Sequence, residues 1–270
     1  MLKHRVGCGP VKPVVMTGLG VGALIMAFLL AIGPSVTVDA VQTAGGVDPD
    51  ALQVLKEMTD YLGSLQAFTV EARNSMEVVL VDGQKLDYEA ASRVWVERPN
   101  RVRSQRTGVV DEADFFYDGS SMTLHVREGE VDFYGVAEMP DNLDEALDIL
   151  RASLEIEVPG ADLLYSDAFE GLTWDVLEAR YVGVETLGGV KVHHLAFRTR
   201  SVDFQVWVGD GDRPLPYKYV ITSKWITGAP QFGVELFNWN VSPTIDDAIF
   251  TFTPPPGAMK VDFVTVASVE

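Results

Sequence analysis

The stretch Lys85–Asn100, with the sequence KLDYEAASRVWVERPN, places two kinds of side chain in alternation. Successive side chains of a β-strand point to opposite faces of the sheet, so this alternation predicts a strand with two distinct faces. Pro99 has no backbone N–H to donate, and Pro99-Asn100 therefore ends the strand. One predicted face carries Tyr88, Ala90, Ser92, Val94 and Val96, and the other carries Arg93, Trp95 and Glu97.

Turn signals continue on both sides of this strand. Asp82-Gly83, Asp118-Gly119, Glu128-Gly129 and Gly188-Gly189 are dipeptides typical of hairpin turns. Because the first strands follow one another without helices, we expect an antiparallel meander. The predicted strands include Ser75–Val81, Lys85–Val96, Leu177–Thr186, Val190–Thr199, Val202–Val208, Tyr217–Lys224, Phe232–Asn240 and, as the last full strand, Phe250–Thr253.

Two segments show helical spacing instead. Asp48-Pro49-Asp50 predicts a helix start, since aspartate caps and proline suits the first turn, and Gly63 marks its expected end. Pro140-Asp141-Asn142 leads into a second helix, and Ala161–Phe169 is expected to form another short one. The apolar stripes are Leu52, Leu55, Met58, Thr59 and Leu62 in the first helix, and Leu143, Ala146, Leu147, Leu150 and Leu154 in the second.

The first forty residues form a separate segment. Basic residues precede an apolar run, Val14–Ile32, and Val38-Asp39-Ala40 offers the small residues that a signal peptidase reads. Two interpretations stay open: a cleaved signal peptide, or an uncleaved anchor of 19 residues. Both place the rest of the chain outside the inner membrane, so we expect a periplasmic protein with a linker at 41–47 and one domain at 48–270.

Cysteine usage and charge exclude several classes of protein. Cys8 is the only cysteine and precedes the apolar run, so neither lipidation of this chain nor a disulfide is expected. The chain has 21 basic and 39 acidic residues. Without residues 1–40 these become 18 and 38, a net charge of about −20. Such a charge favours solubility and repels nucleic acid and anionic lipid surfaces.

Catalytic and cofactor-binding patterns are not found. His193 and His194 point to opposite faces of a predicted strand and cannot share one metal ion. Gly119-Ser120-Ser121 lacks the flanking glycine of a nucleophile elbow, and there is neither a P-loop nor a GxGxxG motif. We therefore expect no enzyme activity, no cofactor and no metal site.

Three short sequence segments together carry a family resemblance. They are Trp95–Asn100, Asp118–Leu124 and Phe250–Gly257. In this order, behind a helix followed by Phe68-Thr69-Val70, they resemble the LolA-like lipoprotein-carrier family over roughly residues 48–265. The longer segment between Asp141 and Arg180 and the acidic charge are more similar to its uncharacterised exported members.

The resemblance implies an α+β fold in which a curved antiparallel sheet forms an incomplete barrel and helices cover its concave face. It implies binding of lipid or lipoprotein acyl chains, or of another amphiphile, in an apolar cavity. The alternative is an envelope regulator that uses the same fold to bind a protein. The identity of the ligand and the oligomeric state stay open.

Candidate binding residues follow from these expectations. The resemblance also assigns Arg98 to a bond with the backbone of a helical lid, and the alternative for Arg98 is pairing with surface carboxylates. Each apolar candidate could equally be ordinary core, and which strand face lines the cavity is left open. The candidates are Leu55, Met58, Leu62, Trp95, Phe116, Leu147, Leu150, Leu154, Phe204, Trp207, Phe237 and Trp239.

Overall fold

A computed structural model describes residues 45–109, 111–154 and 160–263. The signal-or-anchor interpretation of residues 1–40 and most of the predicted linker lie outside these residues. The helices are α1 (Pro49–Ser64), α2 (Leu143–Ala152) and α3 (Ala168–Thr173), with 3₁₀ turns at Ala161–Leu164 and Asp247–Phe250. The strands are β1 (Ala67–Val79), β2 (Lys85–Glu97), β3 (Arg101–Gly108), β4 (Glu112–Tyr117), β5 (Ser121–Glu128), β6 (Val131–Glu138), β7 (Glu178–Leu187), β8 (Val190–Arg198), β9 (Val202–Gly209), β10 (Pro216–Ser223), β11 (Gln231–Asn240) and β12 (Met259–Val261).

All the strands of the described residues belong to one curved, unclosed sheet. Their order is β12-β6-β5-β4-β3-β2-β1-β11-β10-β9-β8-β7, so β12 and β7 are the edges. Neighbours pair antiparallel except for β12, which runs parallel to β6. This confirms the predicted α+β half-barrel.

The antiparallel pairing gives the half-barrel two ends. The turns after β2, β4, β7 and β9 lie at one end, which we call the Arg98 end because Arg98 follows β2 there. The turns after β1, β3, β5, β8 and β10 lie at the other end, which we call the tip end. The segment that contains α2 and α3 leaves β6 at the Arg98 end and enters β7 at the tip end, so it crosses the concave face from one end to the other.

The concave face carries the core. Val96 of β2 pairs with Val102, which pairs with Tyr117, and Tyr117 pairs in turn with Met122. All four side chains are buried in one cluster with the helices. The strand face predicted to carry Val94 and Val96 therefore points inward.

Helix α1 starts as its sequence predicts. The Asp48 carboxylate accepts a hydrogen bond from the Asp50 backbone N–H (2.9 Å) and another from the Tyr181 N–H of edge strand β7 (3.2 Å). One side chain thus caps the helix and attaches it to the sheet. The helix ends at Ser64, so Gly63 lies within its last turn.

Two element predictions were wrong. The expected last strand at Phe250–Thr253 is a 3₁₀ turn followed by irregular chain, because the Asp246 carboxylate caps the turn by accepting from the Ala248 N–H (2.9 Å). The last strand is β12, beyond the proline run. The expected helix at Ala161–Phe169 is divided into a 3₁₀ turn and α3.

The C-terminal segment Asp246–Val261, which we call the strap, crosses the convex face of β3–β6. Phe250 is buried beneath the Arg101 guanidinium, whose carbon lies 5.0 Å from the ring centroid. The ring of Phe252 lies 5.2 Å from that of Phe116, 5.3 Å from His125 and 5.1 Å from Tyr134. The strap therefore shields apolar side chains that the helices do not reach.

Tyr117 joins the sheet to the segment that leads into α2. Its side chain is buried, and its hydroxyl donates to the carbonyl oxygen of Pro140 (2.5 Å). Burial raises the pKa of Tyr117 from 10.0 to about 12, and the charges of Asp141, Asp118 and Glu145 add to the effect.

Phe250→Ala should lower the free energy of unfolding by about 3 kcal/mol, because it removes a buried aromatic ring from the strap. Met259→Ala in the same strap is the matched control, since its side chain is 57% exposed and its loss should cost no more than about 0.5 kcal/mol. Urea denaturation checks both. Equal effects would show that the strap does not anchor through Phe250.

Stability should fall as pH rises from 10 towards 12. The folded state keeps the Tyr117 proton in this window while the unfolded chain, with the ordinary pKa, releases it. Tyr117→Phe should be less stable at neutral pH by about 1 kcal/mol, because the Pro140 carbonyl loses its donor. It should also flatten the pH dependence by about one proton. Denaturation at several alkaline pH values measures the slope, and equal slopes in both proteins would refute the assignment.

Candidate functional site: the helix-covered concave face

Helix side chains fill the middle of the concave face. Leu55 and Met58 of α1 are fully buried, and Leu147 and Leu150 of α2 are nearly so. They form one apolar cluster with strand residues such as Phe204. Helix α1 packs against β7, β8 and β9. The concave face is thus covered by two helical segments that are far apart in sequence.

The second of these segments, comprising α2, the 3₁₀ turn Ala161–Leu164 and α3, is the lid. Several of its polar contacts are internal. Asp144 of α2 accepts from the Ser166 N–H (3.0 Å), and Tyr165 donates to Asp148 (2.8 Å). Arg151 pairs with Asp162 (2.7 Å). These contacts tie α2 to the 3₁₀ turn and to the two residues that follow it.

Arg98 links the lid to the sheet. Its Nη1 donates to the carbonyl oxygen of Leu164 (3.1 Å). Its Nε and Nη2 are buried and, among the described residues, have no hydrogen-bond partner. Burial lowers the pKa of Arg98, and the charge of Asp144 opposes that shift. Among the described residues, the closed arrangement therefore satisfies only the Nη1 of Arg98.

A groove of about 410 Å³ opens at the Arg98 end. Trp239 forms part of its wall, with its ring 5.5 Å from that of Phe68 and its Nε1 donating to the Pro216 carbonyl (3.1 Å). Apolar and polar groups both line the groove. They are Leu187, Gly188, Val190, Arg213, Leu215, Tyr217, Glu235, Leu236, Phe237, Asn238, Trp239 and Val241.

The structure places the twelve apolar candidates in three regions. Leu55, Met58, Leu62, Leu147, Leu150 and Phe204 lie in the concave core, and Leu154 packs at its edge. Phe237 and Trp239 line the groove. Trp95, Phe116 and Trp207 lie on the convex face instead.

The three convex aromatics have their own partners. Trp95 lies beneath the Arg93 guanidinium (4.8 Å), Phe116 beneath that of Arg103 (3.7 Å), and Trp207 stacks on His194 (4.1 Å). Their positions follow from strand alternation: Trp95 pairs with Arg103, and Phe116 with the same Arg103 on the other side. These residues are not brought together with the groove or with the concave core.

The shape of the groove depends on irregular backbone that sequence reasoning missed. The pairing of β1 with β11 shifts register near Asn238, which has a positive φ of 52°. This extra residue turns Trp239 toward Phe68 after Phe237 has pointed outward. A second register shift, in the pairing of β10 with β9, falls at Tyr217. Strand alternation gives no sign of either irregularity.

The contacts that the concave face offers are chiefly apolar. Within the described ranges, no group of three His, Cys, Asp or Glu side chains is arranged to hold a metal ion. His125, buried on the convex face, contacts the Asp132 carboxylate (2.6 Å) and lies against Phe252. This histidine therefore belongs to the surface beneath the strap and not to the site beneath the lid.

None of the helices in the described part of the chain is both long and apolar enough to cross a bilayer.

Comparison with solved structures finds weak likeness. LprF from Mycobacterium bovis is 12% identical, with 75% of this chain and 98% of that chain covered and a TM-score of 0.45. The lipoprotein LppX from Mycobacterium tuberculosis is 14% identical, with 74% and 100% covered and a TM-score of 0.39. An uncharacterised conserved protein from Thermus thermophilus is 10% identical, with 79% and 99% covered and a TM-score of 0.46.

No curated protein matches the chain in sequence. A family model matches residues 51–264, which span all the described strands and the described helices apart from the first two residues of α1. The sequence-based expectation of an exported, periplasmic family with a half-barrel fold is confirmed at this level. The chain belongs to the family described as "Predicted periplasmic protein (DUF2092)".

Proposed function

We propose that this chain is a periplasmic binding protein that holds the acyl chains of a lipid, or of another amphiphile such as a lipoprotein, on its concave face. It performs no catalysis in this proposal. The observation that carries it is the lid, whose apolar stripe covers the concave sheet while Asp144, Asp148 and Arg151 bond to other parts of the lid.

An acyl chain and the lid stripe offer the sheet the same kind of contact. A buried methylene contributes about 0.8 kcal/mol, so one long chain supplies on the order of 10 kcal/mol before ordering costs. Leu147 and Leu150 now contribute such contacts from α2. A ligand that takes their place exchanges one apolar partner for another, so lid displacement costs little beyond the polar contacts that hold the lid in place.

The groove at the Arg98 end supplies a starting point for entry. Its volume falls within the range of roughly 300–1,000 Å³ that is typical of small-molecule sites. Leu236 and Trp239 line the groove and also pack against the concave core. An acyl chain that enters here meets apolar wall continuous with the surface beneath the lid.

Arg98 acts in this proposal as the latch of the lid. Its bond to the Leu164 carbonyl holds the closed arrangement, while its Nε and Nη2 are buried without a hydrogen-bond partner in the described part of the chain. Opening exposes these donors to water and removes their desolvation penalty. In this proposal, the Arg98–Leu164 bond stabilises the closed lid without preventing it from opening.

Native mass spectrometry of the protein purified from its own membranes tests the binding function. We expect copurified acyl species at up to one equivalent on the wild-type chain. Arg98→Leu should lose them faster on dilution, because the lid loses its bond to the sheet. Arg93→Leu is the matched control. Arg93 lies on the convex face of β2, the strand that precedes Arg98, and contacts Trp95 rather than the lid.

Two outcomes contradict different parts of the proposal. Equal retention of acyl species by the wild type and Arg98→Leu would show that Arg98 does not hold the lid, and the binding function would still stand. A stoichiometric protein partner without any acyl species would favour the alternative, an envelope interaction or regulatory protein that uses the same fold to bind a protein partner.

A further inference from the structure

The tip end of the half-barrel carries a set of exposed apolar side chains, which we call the apolar rim. Trp225 is 80% exposed, Trp174 is 75% exposed and Val109 is 87% exposed, and Val81 is fully exposed. The rim consists of Leu80, Val81, Val109, Trp174, Trp225 and Ile226. These residues come from three hairpin turns and from the connection between α3 and β7.

Hydrogen bonds fix neighbouring parts of the rim side by side. Trp225 Nε1 donates to the Arg200 carbonyl (2.9 Å), and the Arg200 N–H donates to the Asp175 carboxylate (3.4 Å) next to Trp174. On the other side, the Gln231 N–H donates to Glu77 of the β1–β2 hairpin (3.0 Å). The two tryptophans and the β1–β2 tip thus belong to one continuous edge.

The Arg98 end differs in chemistry. Its turns are polar or glycine-rich: Asn100, Asp118-Gly119-Ser120, Gly188-Gly189 and Asp210-Gly211-Asp212. Turns of the same sheet therefore fold without exposed apolar tips. Exposed tryptophan and β-branched residues on several successive turns of one end indicate a surface that meets an apolar medium.

The path of the N-terminal chain points to the same end. Val47 bridges Ala179 at the start of β7, and the Ala179 N–H donates to the Gly46 carbonyl (3.1 Å). The start of β7 lies beside Arg198 and the β8–β9 turn, at the tip end. The described chain therefore begins at the tip end, and residues 33–44 separate it from the apolar run Val14–Ile32 in the sequence.

We propose that the apolar rim docks on the surface of a lipid bilayer. Tryptophan favours the membrane interface because its ring is apolar and its N–H is polar. The apolar side chains lie on separate turns along a curved edge, so a deformable surface can contact all of them at once. In the docked arrangement, Val81 and Ile226 extend into this surface. Because the chain is strongly acidic, the rim favours neutral, zwitterionic headgroups over anionic ones. This surface goes beyond the proposed function, since it lies at the opposite end from the groove.

Quenching of tryptophan emission by brominated phosphatidylcholine tests the proposal on the full chain in vesicles, because bromine quenches on contact. The five tryptophans are Trp95, Trp174, Trp207, Trp225 and Trp239, and residues 1–44 contain none, so an anchored N-terminus adds no signal. We expect the wild type to lose much more emission than the variant Trp174→Ser/Trp225→Ser. We also expect Val81→Asp to reduce the quenching, because it places a charge in the contact.

Trp207→Phe is the matched control, since this tryptophan stacks on His194 on the convex face away from the rim. It should leave the quenched fraction at least as large as in the wild type. If quenching persists in the double variant and disappears when Trp239→Phe is added to it, the quenched residue is Trp239 and the lipid lies in the groove. This result distinguishes cargo binding from docking of the rim. Equal quenched emission in the wild type and the double variant, or none in either, would overturn membrane docking.

Discussion

The whole structure depends on covering the concave face of a sheet that does not close. An unclosed sheet has an apolar inner surface and no second sheet to bury it, so the cover must come from helices. Here α1 and the lid supply it, with Leu55 and Met58 from one and Leu147 and Leu150 from the other. Hydrophobic contact is not directional, so another apolar group can replace a helix on this face. A strand held by backbone hydrogen bonds cannot be replaced in this way.

The two helical covers are attached in different ways. Helix α1 is capped by Asp48, which also accepts from the backbone of β7, and the chain continues directly into the central strand β1. The lid has internal bonds at Asp144, Asp148 and Arg151, and in the described residues Arg98 and Tyr117 link it and the segment leading into it to the sheet. On the convex face, the strap and its Phe250 protect a different set of strands. We infer that the lid is the part of the cover able to move.

Sequence reasoning predicted the elements well where a local rule governs them. The cap at Asp48 and the turn at Asp118-Gly119 are chemical signals; Gly119 has a φ of +91° and leaves no room for a side chain beside Asn100. Alternation also implied that Trp95 lies opposite Val96, which is where the structure has it. Phe237 and Trp239 were candidates, but their placement on different faces could not be predicted, because a single extra residue at Asn238 reverses the faces that follow. The bond from Arg98 to lid backbone was expected only from the family resemblance, since residue spacing gives no sign of a contact with Leu164, 66 positions away.

Native-state hydrogen exchange distinguishes a movable lid from a fixed one by comparing the lid with α1 in one protein. We expect the amides of Leu147 and Leu150 to exchange through an opening that needs clearly less free energy than global unfolding. The amides of Leu55 and Met58, together with those of β1, should exchange only when the whole domain unfolds. If Leu147 and Leu150 instead show the full unfolding free energy, the lid is a fixed part of the core, and a binding surface beneath it is contradicted.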